Sequence, residues 1–201
     1  FNLADTSRAG RTITLLSSLP QLSSNLVIDG STQTGAAFGI SSAKVIITVN
    51  PNFSYFFCLD AKQANNIGIY GLYLKGANNN SVYAFQFWES NNISFGSPGK
   101  GNIVCGFLQA FKCDLFSSTD AASNNVTFQS NLFGIDESGN YADFSTYNAT
   151  TFSFRNVNNL QIGGSAPNEG NIICNTGFLI DITFTRPVDS GYLKINGNKI
   201  G

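Results

Sequence analysis

Six short segments of this chain place large apolar residues two positions apart behind a polar turn. They are "NLVIDG" (25–30), "NNIGIYG" (65–71), "NNISFGS" (91–97), "NNVTFQS" (124–130), "NNLQIGG" (158–164) and "GYLKING" (191–197). The apolar pairs are Leu26/Ile28, Ile67/Ile69, Ile93/Phe95, Val126/Phe128, Leu160/Ile162 and Leu193/Ile195. Alternation with period two marks a strand with one buried face. From Ile93 onward the pairs recur every 33 residues or so, a length that holds about three short strands and their turns. That is one coil of a solenoid. Helical repeats would need amphipathic helices and leucine-rich repeats a shorter period, and neither pattern is present.

The expected fold is therefore all-β: a right-handed parallel β-helix of about six coils of roughly 33 residues, with an irregular N-terminal portion. Residues 1–201 read as one domain, with a cap-like region over 11–35 and regular coils over 56–201. Coils stacked about 4.8 Å apart align equivalent residues in columns. Asn66, Asn92, Asn125 and Asn159 then fall at one turn, where their amides can hydrogen-bond along the axis as a ladder. A second rhyme, "GNIVCG" (101–106) and "GNIICN" (170–175) against "SNLFG" (130–134) and "GNKIG" (197–201), predicts a repeat unit of two alternating coils.

Composition sharpens the class. Only 11 % of residues are charged, against roughly 25 % in an ordinary domain. The surface must be satisfied by amides and hydroxyls. With a net charge of −1 and no basic stripe, no nucleic-acid partner is expected. No apolar run is long enough to insert this domain in a membrane as a helix. The absence of Met and the opening on Phe1 suggest an excerpt of a larger protein. Cys58, Cys105, Cys113 and Cys174 show no metal-binding spacing, and Cys105 and Cys174 fall two coils apart, beyond disulfide reach. Buried thiols are the expectation, with Cys105–Cys113 the one bridge kept as an alternative.

The pattern resembles the right-handed parallel β-helix regions of secreted and cell-surface proteins, which share the pectate-lyase-like fold in its adhesin type. The likeness rests on "RTITLLSSLPQLSSNLVIDGSTQTG" (11–35), "NLFGIDESGN" (131–140) and "IGGSAPNEGNIICN" (162–175). It implies the fold, an extracellular or cell-surface location, and no particular activity, because this architecture hosts lyases, hydrolases, adhesins and spacers alike.

Chemistry has to be sought at outward positions. There is no His, which removes Ser/His and Cys/His nucleophile systems. The outward columns of the repeated strand, Val27, Gly68, Ser94, Thr127, Gln161, Lys194 and Asp29, Tyr70, Gly96, Gln129, Gly163, Asn196, pair no carboxylates on adjacent coils. Acidic, basic and aromatic residues concentrate instead in the less regular strands, where Asp60, Glu89, Asp114, Arg155, Asp181 and Arg186 are candidates for a shared face. Trp88 and Tyr83, with Tyr73, are candidates for a sugar-stacking platform. The candidate ligand-binding set is Trp88, Tyr83, Glu89, Asp60 and Asp114, with no catalytic residue and no metal ligand assigned. No cofactor is expected; Ca²⁺ is the metal considered, and the Asp136/Glu137 pair alone is too few oxygens for it. Of five N-x-S/T sequons, Asn92 and Asn125 belong to the expected ladder, leaving Asn52, Asn79 and Asn148 as glycosylation candidates.

These features point to a noncatalytic extracellular structural or adhesive module of a cell-surface or filament-forming protein, with a glycan or surface protein as partner. The alternatives are a polysaccharide lyase or glycoside hydrolase of the same fold and a pure spacer stalk. The last residues, "INGNKIG" (195–201), carry no polar cap, so further coils or other subunits are expected to stack there end to end.

Overall fold

The computed structural model describes residues 2–52, 56–113, 121–141, 150–174, 178–183 and 191–201. Within them the chain forms strands β1 (Thr12–Leu15), β2 (Leu26–Asp29), β3 (Val45–Val49), β4 (Phe56–Lys62), β5 (Asn65–Tyr70) and β6 (Leu72–Trp88). There follow β7 (Asn91–Phe95), β8 (Ile103–Cys113), β9 (Ser123–Phe128), β10 (Leu132–Phe133) and β11 (Thr150–Arg155). The last five are β12 (Val157–Gly163), β13 (Ile172–Ile173), β14 (Phe178–Thr183), β15 (Leu193–Asn196) and β16 (Lys199–Ile200). The one helical element described is a single 3-10 turn over Gly30–Thr32, and among the described residues no helix is long and apolar enough to cross a membrane.

The repeated segments form one six-stranded sheet in the order β15-β12-β9-β7-β5-β2, every neighbouring pair parallel. This is the first face of a parallel β-solenoid of about five turns, the six strands bounding the five turns between them. A ten-stranded sheet supplies the other two faces. Its second face stacks β1, β3, the start of β6, the start of β8, β10, β13 and β16; its third stacks β4, the end of β6, the end of β8, β11 and β14. β6 and β8 run through the corner between the faces, and their register slips on either side of Asn79 there.

Alternation holds in the first face as the apolar pattern requires. Ile67, Ile69, Ile93, Phe95, Val126, Phe128, Leu160 and Ile162 are all buried, while the outward column aligns Val27, Gly68, Ser94, Thr127, Gln161 and Lys194 in register. Phenylalanine fills the interior. Phe111 packs edge-on against Phe95 at 4.6 Å and Phe128 at 4.7 Å, and Phe128 meets Phe152 at 5.0 Å between centroids. Such contacts add about 0.5–1.5 kcal/mol each beyond burial.

Three asparagine ladders hold the coils in register. At the turn into the first face, Asn25, Asn66, Asn92, Asn125 and Asn159 form an unbroken chain of side-chain amide bonds of 2.7–3.0 Å. All five have φ between 53° and 61°, the left-handed region that Asn tolerates better than other residues with a Cβ. The preceding Asn makes a second ladder in three coils, Asn65–Asn91–Asn124, which Asn158 does not join.

The third ladder is buried at Asn102, Asn131 and Asn171. Asn102, Asn131, Asn171 and Asn198 each donate one Nδ2 hydrogen to a first-face carbonyl, of Ile69, Phe95, Phe128 and Ile162 respectively. Each Oδ1 accepts from a backbone N–H of the coil before it. These four asparagines occupy one corner of four consecutive coils, which corrects the expected two-coil repeat: "GN" and "SN" are equivalent places, and the structural period is a single coil. Small residues precede them because the chain passes close to its neighbour. A Cβ at Gly101 would overlap the Ser130 carbonyl oxygen, and one at Gly170 that of Gly197.

Cys58, Cys105, Cys113 and Cys174 form no disulfide. Leu132 pairs with both Ile103 and Ile172, so Cys105 and Cys174 lie two coils apart. Cys105 and Cys113 lie at opposite ends of the third-face and second-face run of one strand, β8.

Two outcomes follow. Asn131→Ala removes four hydrogen bonds and strands two buried donors, the Asn102 N–H and one Asn102 Nδ2 hydrogen, while the Phe95 carbonyl keeps the Gln129 N–H; at about 1–3 kcal/mol per buried unpaired group, it lowers stability by about 2–6 kcal/mol. Asn92→Gly, at an exposed left-handed position, costs about 1 kcal/mol or less, and urea unfolding midpoints compare the two. Thiol titration of the native protein labels one cysteine rapidly, the half-exposed Cys174, because Cys58, Cys105 and Cys113 are buried; burial also pushes the Cys58 thiol up to about 12.

Candidate ligand-binding face

Each of the three outer surfaces has a different character. The first face carries the uncharged column already described, ending at Lys194, whose Nζ sits 4.4 Å from the Tyr192 ring centroid. The second face is covered by the chain's own loops. Its outward column, Ile46, Tyr73, Ile103 and Leu132, is buried beneath Phe38, Ala43 and Ile135. Arg11, itself buried, fastens this cover by donating from Nε to the Thr6 carbonyl and from Nη1 to those of Ala36 and Lys44, with its guanidinium 4.5 Å from the Phe38 ring. Arg8 adds a 2.7 Å ion pair to Glu137. Asp136 is occupied by its own turn, accepting from the N–H groups of Ser138 and Asn140.

The third face gathers most of the residues expected to bind. Asp60, Gln86, Lys112, Ser153 and Asp181 are in register on five successive coils. The two carboxylates are thus four strand spacings, about 19 Å, apart. Tyr83 stacks on Phe57 from the neighbouring coil, with centroids 5.1 Å apart, and the Lys112 ammonium lies 5.1 Å from its ring. Trp88 is aligned with Lys62, whose Nζ is 5.5 Å from the indole, and is only 8 % exposed. Tyr73 does not join them: it is buried on the second face, its hydroxyl 3.4 Å from the Cys105 sulfur.

Glu89 is used between coils. Its Oε2 accepts from Gln63 Nε2 at 2.6 Å and its Oε1 from the Ala121 N–H at 3.0 Å. Asp60 Oδ2 accepts from Gln21 Nε2 at 3.0 Å, while Asp60 Oδ1 and Gln86 Oε1, its lateral neighbour, are buried with no partner among the described residues. Burial pushes the Asp60 carboxyl above its ordinary value, against smaller opposing effects of the Gln21 hydrogen bond and the Lys62 charge.

Asp114, Asn148 and Arg186 lie outside the described residues. Arg155 and Asp181 are exposed on the third face. Asn52 is exposed after β3, and Asn79 lies in β6 at the corner between the second and third faces, where the register with β8 slips. Asn92 and Asn125 donate their amides within the outer ladder. Among the described residues no three His, Cys, Asp or Glu side chains converge on a metal position. A cleft of about 380 Å³ lies between Ile40–Ser42 and the corner turns at Gly101, Ser130 and Gly170. Its hydroxyls are engaged with the backbone, Ser42 with Gly101 and Ser130 with Asn168.

Sequence reasoning missed Arg11, Gln33 and the role of Gln86. An arginine just ahead of the first apolar strand was the visible signal for Arg11; nothing local marked the other two. No family model, curated protein or solved structure matches this chain.

The raised Asp60 carboxyl gives a pH test. The folded state holds its proton more tightly than the unfolded chain, so its contribution is fully favourable below pH 3.8 and is lost as pH rises through the folded value. Asp60→Asn removes that loss. Its stability relative to the parent rises between pH 3 and pH 6 in a series of urea titrations, whereas a constant offset would contradict the assignment.

Proposed function

We propose that this chain is a noncatalytic structural and adhesive module of an extracellular, cell-surface or filament-forming protein, in the adhesin manner of the pectate-lyase-like fold. The observation that carries the reading is how the polar side chains are spent. Glu89, Asp136, Glu137, Arg8 and Arg11 are engaged in joining coils or closing loops, and Asp29 is paired with Lys100 at 2.7 Å. Asp60 and Asp181 stand too far apart to act together. Groups arranged in this way stiffen a column.

Amide ladders running along the axis favour a rigid, extended element, and repeated coils present a long lateral surface. A weakly charged, amide-rich exterior suits neutral partners such as glycans or a surface protein. The third face, with Tyr83, Trp88, Glu89 and Asp60, is where such a partner would lie, since it combines aromatic area with polar groups. Burial of three of the four thiols is compatible with an oxidising extracellular setting, because buried thiols are inert.

The test is a panel of immobilised neutral and acidic glycans, followed by titration of Trp88 fluorescence. Saturable binding that Tyr83→Ala weakens by about fivefold or more supports the adhesive reading. Release of ultraviolet-absorbing unsaturated ends from an acidic polysaccharide would replace it with a lyase. Neither binding nor turnover would reduce the module to a spacer stalk.

A further inference from the structure

The two ends of the solenoid are built differently. At the N-terminal end, the buried carboxamide of Gln33 grips the backbone of Leu3 twice, Oε1 accepting from its N–H and Nε2 donating to its carbonyl, both at 2.8 Å. Leu3, Ile13 and Leu19 pack against the core there, beside Leu26 and Ile28. This end is closed by residues of the chain itself.

The other end is bare. β15 and β16 pair with β12 and β13 on one side and with nothing described on the other. Leu193 and Ile195 stand in the inward column, yet they are 44 % and 42 % exposed where Leu160 and Ile162 one coil earlier are 1 % and 0 %. Ile200, in register with the buried Ile173, is 60 % exposed.

The buried ladder stops at the same place. Asn102 and Asn131 each give a main-chain N–H and an Nδ2 hydrogen to the Oδ1 of the next asparagine, and Asn171 gives both to Asn198. Asn198 Nδ2 donates to the Ile162 carbonyl. Its second Nδ2 hydrogen and its main-chain N–H have no acceptor among the described residues. Two donors and three apolar side chains thus face outward at the spacing of the next coil.

We propose that Leu193, Ile195, Asn198 and Ile200 form a docking surface for one further parallel β coil. That coil carries apolar residues at alternate positions of its first-face strand and an asparagine at the following corner, whose Oδ1 accepts both Asn198 donors. The donors select the asparagine, and the apolar column selects the strand. A second copy joined head to tail does not fit, because its N-terminal coil is already covered by Leu3 under the Gln33 clamp. The inference extends the structural half of the function proposed above and involves no ligand, so its failure is separable from failure of glycan binding.

The experiment appends a copy of residues 175–201 after Gly201. A control extension changes the copied equivalents of Leu193 and Ile195 to Ser and of Asn198 to Ala. Hydrogen exchange at the original Leu193–Asn196 and Asn198 amides, with the urea midpoint, is compared across the parent and both extended proteins. The matched extension slows exchange at these amides by about tenfold or more and raises the midpoint, the control does neither, and the parent sediments as a monomer. Equal exchange in all three proteins overturns the proposal. So does concentration-dependent association of the parent that Ile195→Lys abolishes, since the occupant is then a second copy.

Discussion

The structure depends on one corner being turned the same way by an asparagine ahead of five of the six first-face strands. To enter the first face the chain must adopt a left-handed conformation, which costs most residues about 1–2 kcal/mol. Gly would accept the geometry but would leave the corner without a side chain. Asn25, Asn66, Asn92, Asn125 and Asn159 accept it and also link each coil to the next through their amides. One residue type therefore solves a backbone problem and an axial problem together. The buried ladder from Asn102 to Asn198 solves a related problem at another corner, where backbone groups turned inward need partners that water cannot supply.

This economy explains the composition. A solenoid whose coils are joined by neutral amides has little need of ion pairs, and the charge content of 11 % reflects that. Hydrogen bonds between amides carry no large desolvation penalty of the kind charged pairs incur when buried. Phenylalanine can then fill the interior of successive coils, with Phe95, Phe111, Phe128 and Phe152 in contact across the core.

It also bears on function. The second face is closed along Ile46, Tyr73 and Ile103, because Arg11 and Phe38 hold a cover over that apolar strip, and the cleft beside it reaches only Leu132 and Ile172. Besides the outward column of the first face, two surfaces stay accessible: the third face, with Tyr83, Asp60, Lys112 and the edge of Trp88, and the uncovered coil at Leu193 and Ile195. One is the lateral surface proposed for ligands and the other the axial surface proposed for stacking. They are independent because each coil contacts mainly its neighbours.

The first face, its inward and outward columns and its outer ladder were legible in the amino-acid sequence because they depend on local rules. Period-two alternation decides which side of a strand is buried, and an "NN" doublet marks a turn that only a few residues can make. The partners of Arg11, Gln33 and Gln86, and the equivalence of Asn102 with Asn131, were decided by the tertiary structure. The links between the second and third faces vary in length: β8 runs straight through the corner, whereas Phe133 and Thr150 are joined by a long connection. Periodicity cannot count coils across such unequal links. Only stacking, which brings residues dozens of positions apart into register by hydrogen bonding between strands, assigns Gln86 to Asp60 and a single coil to the repeat.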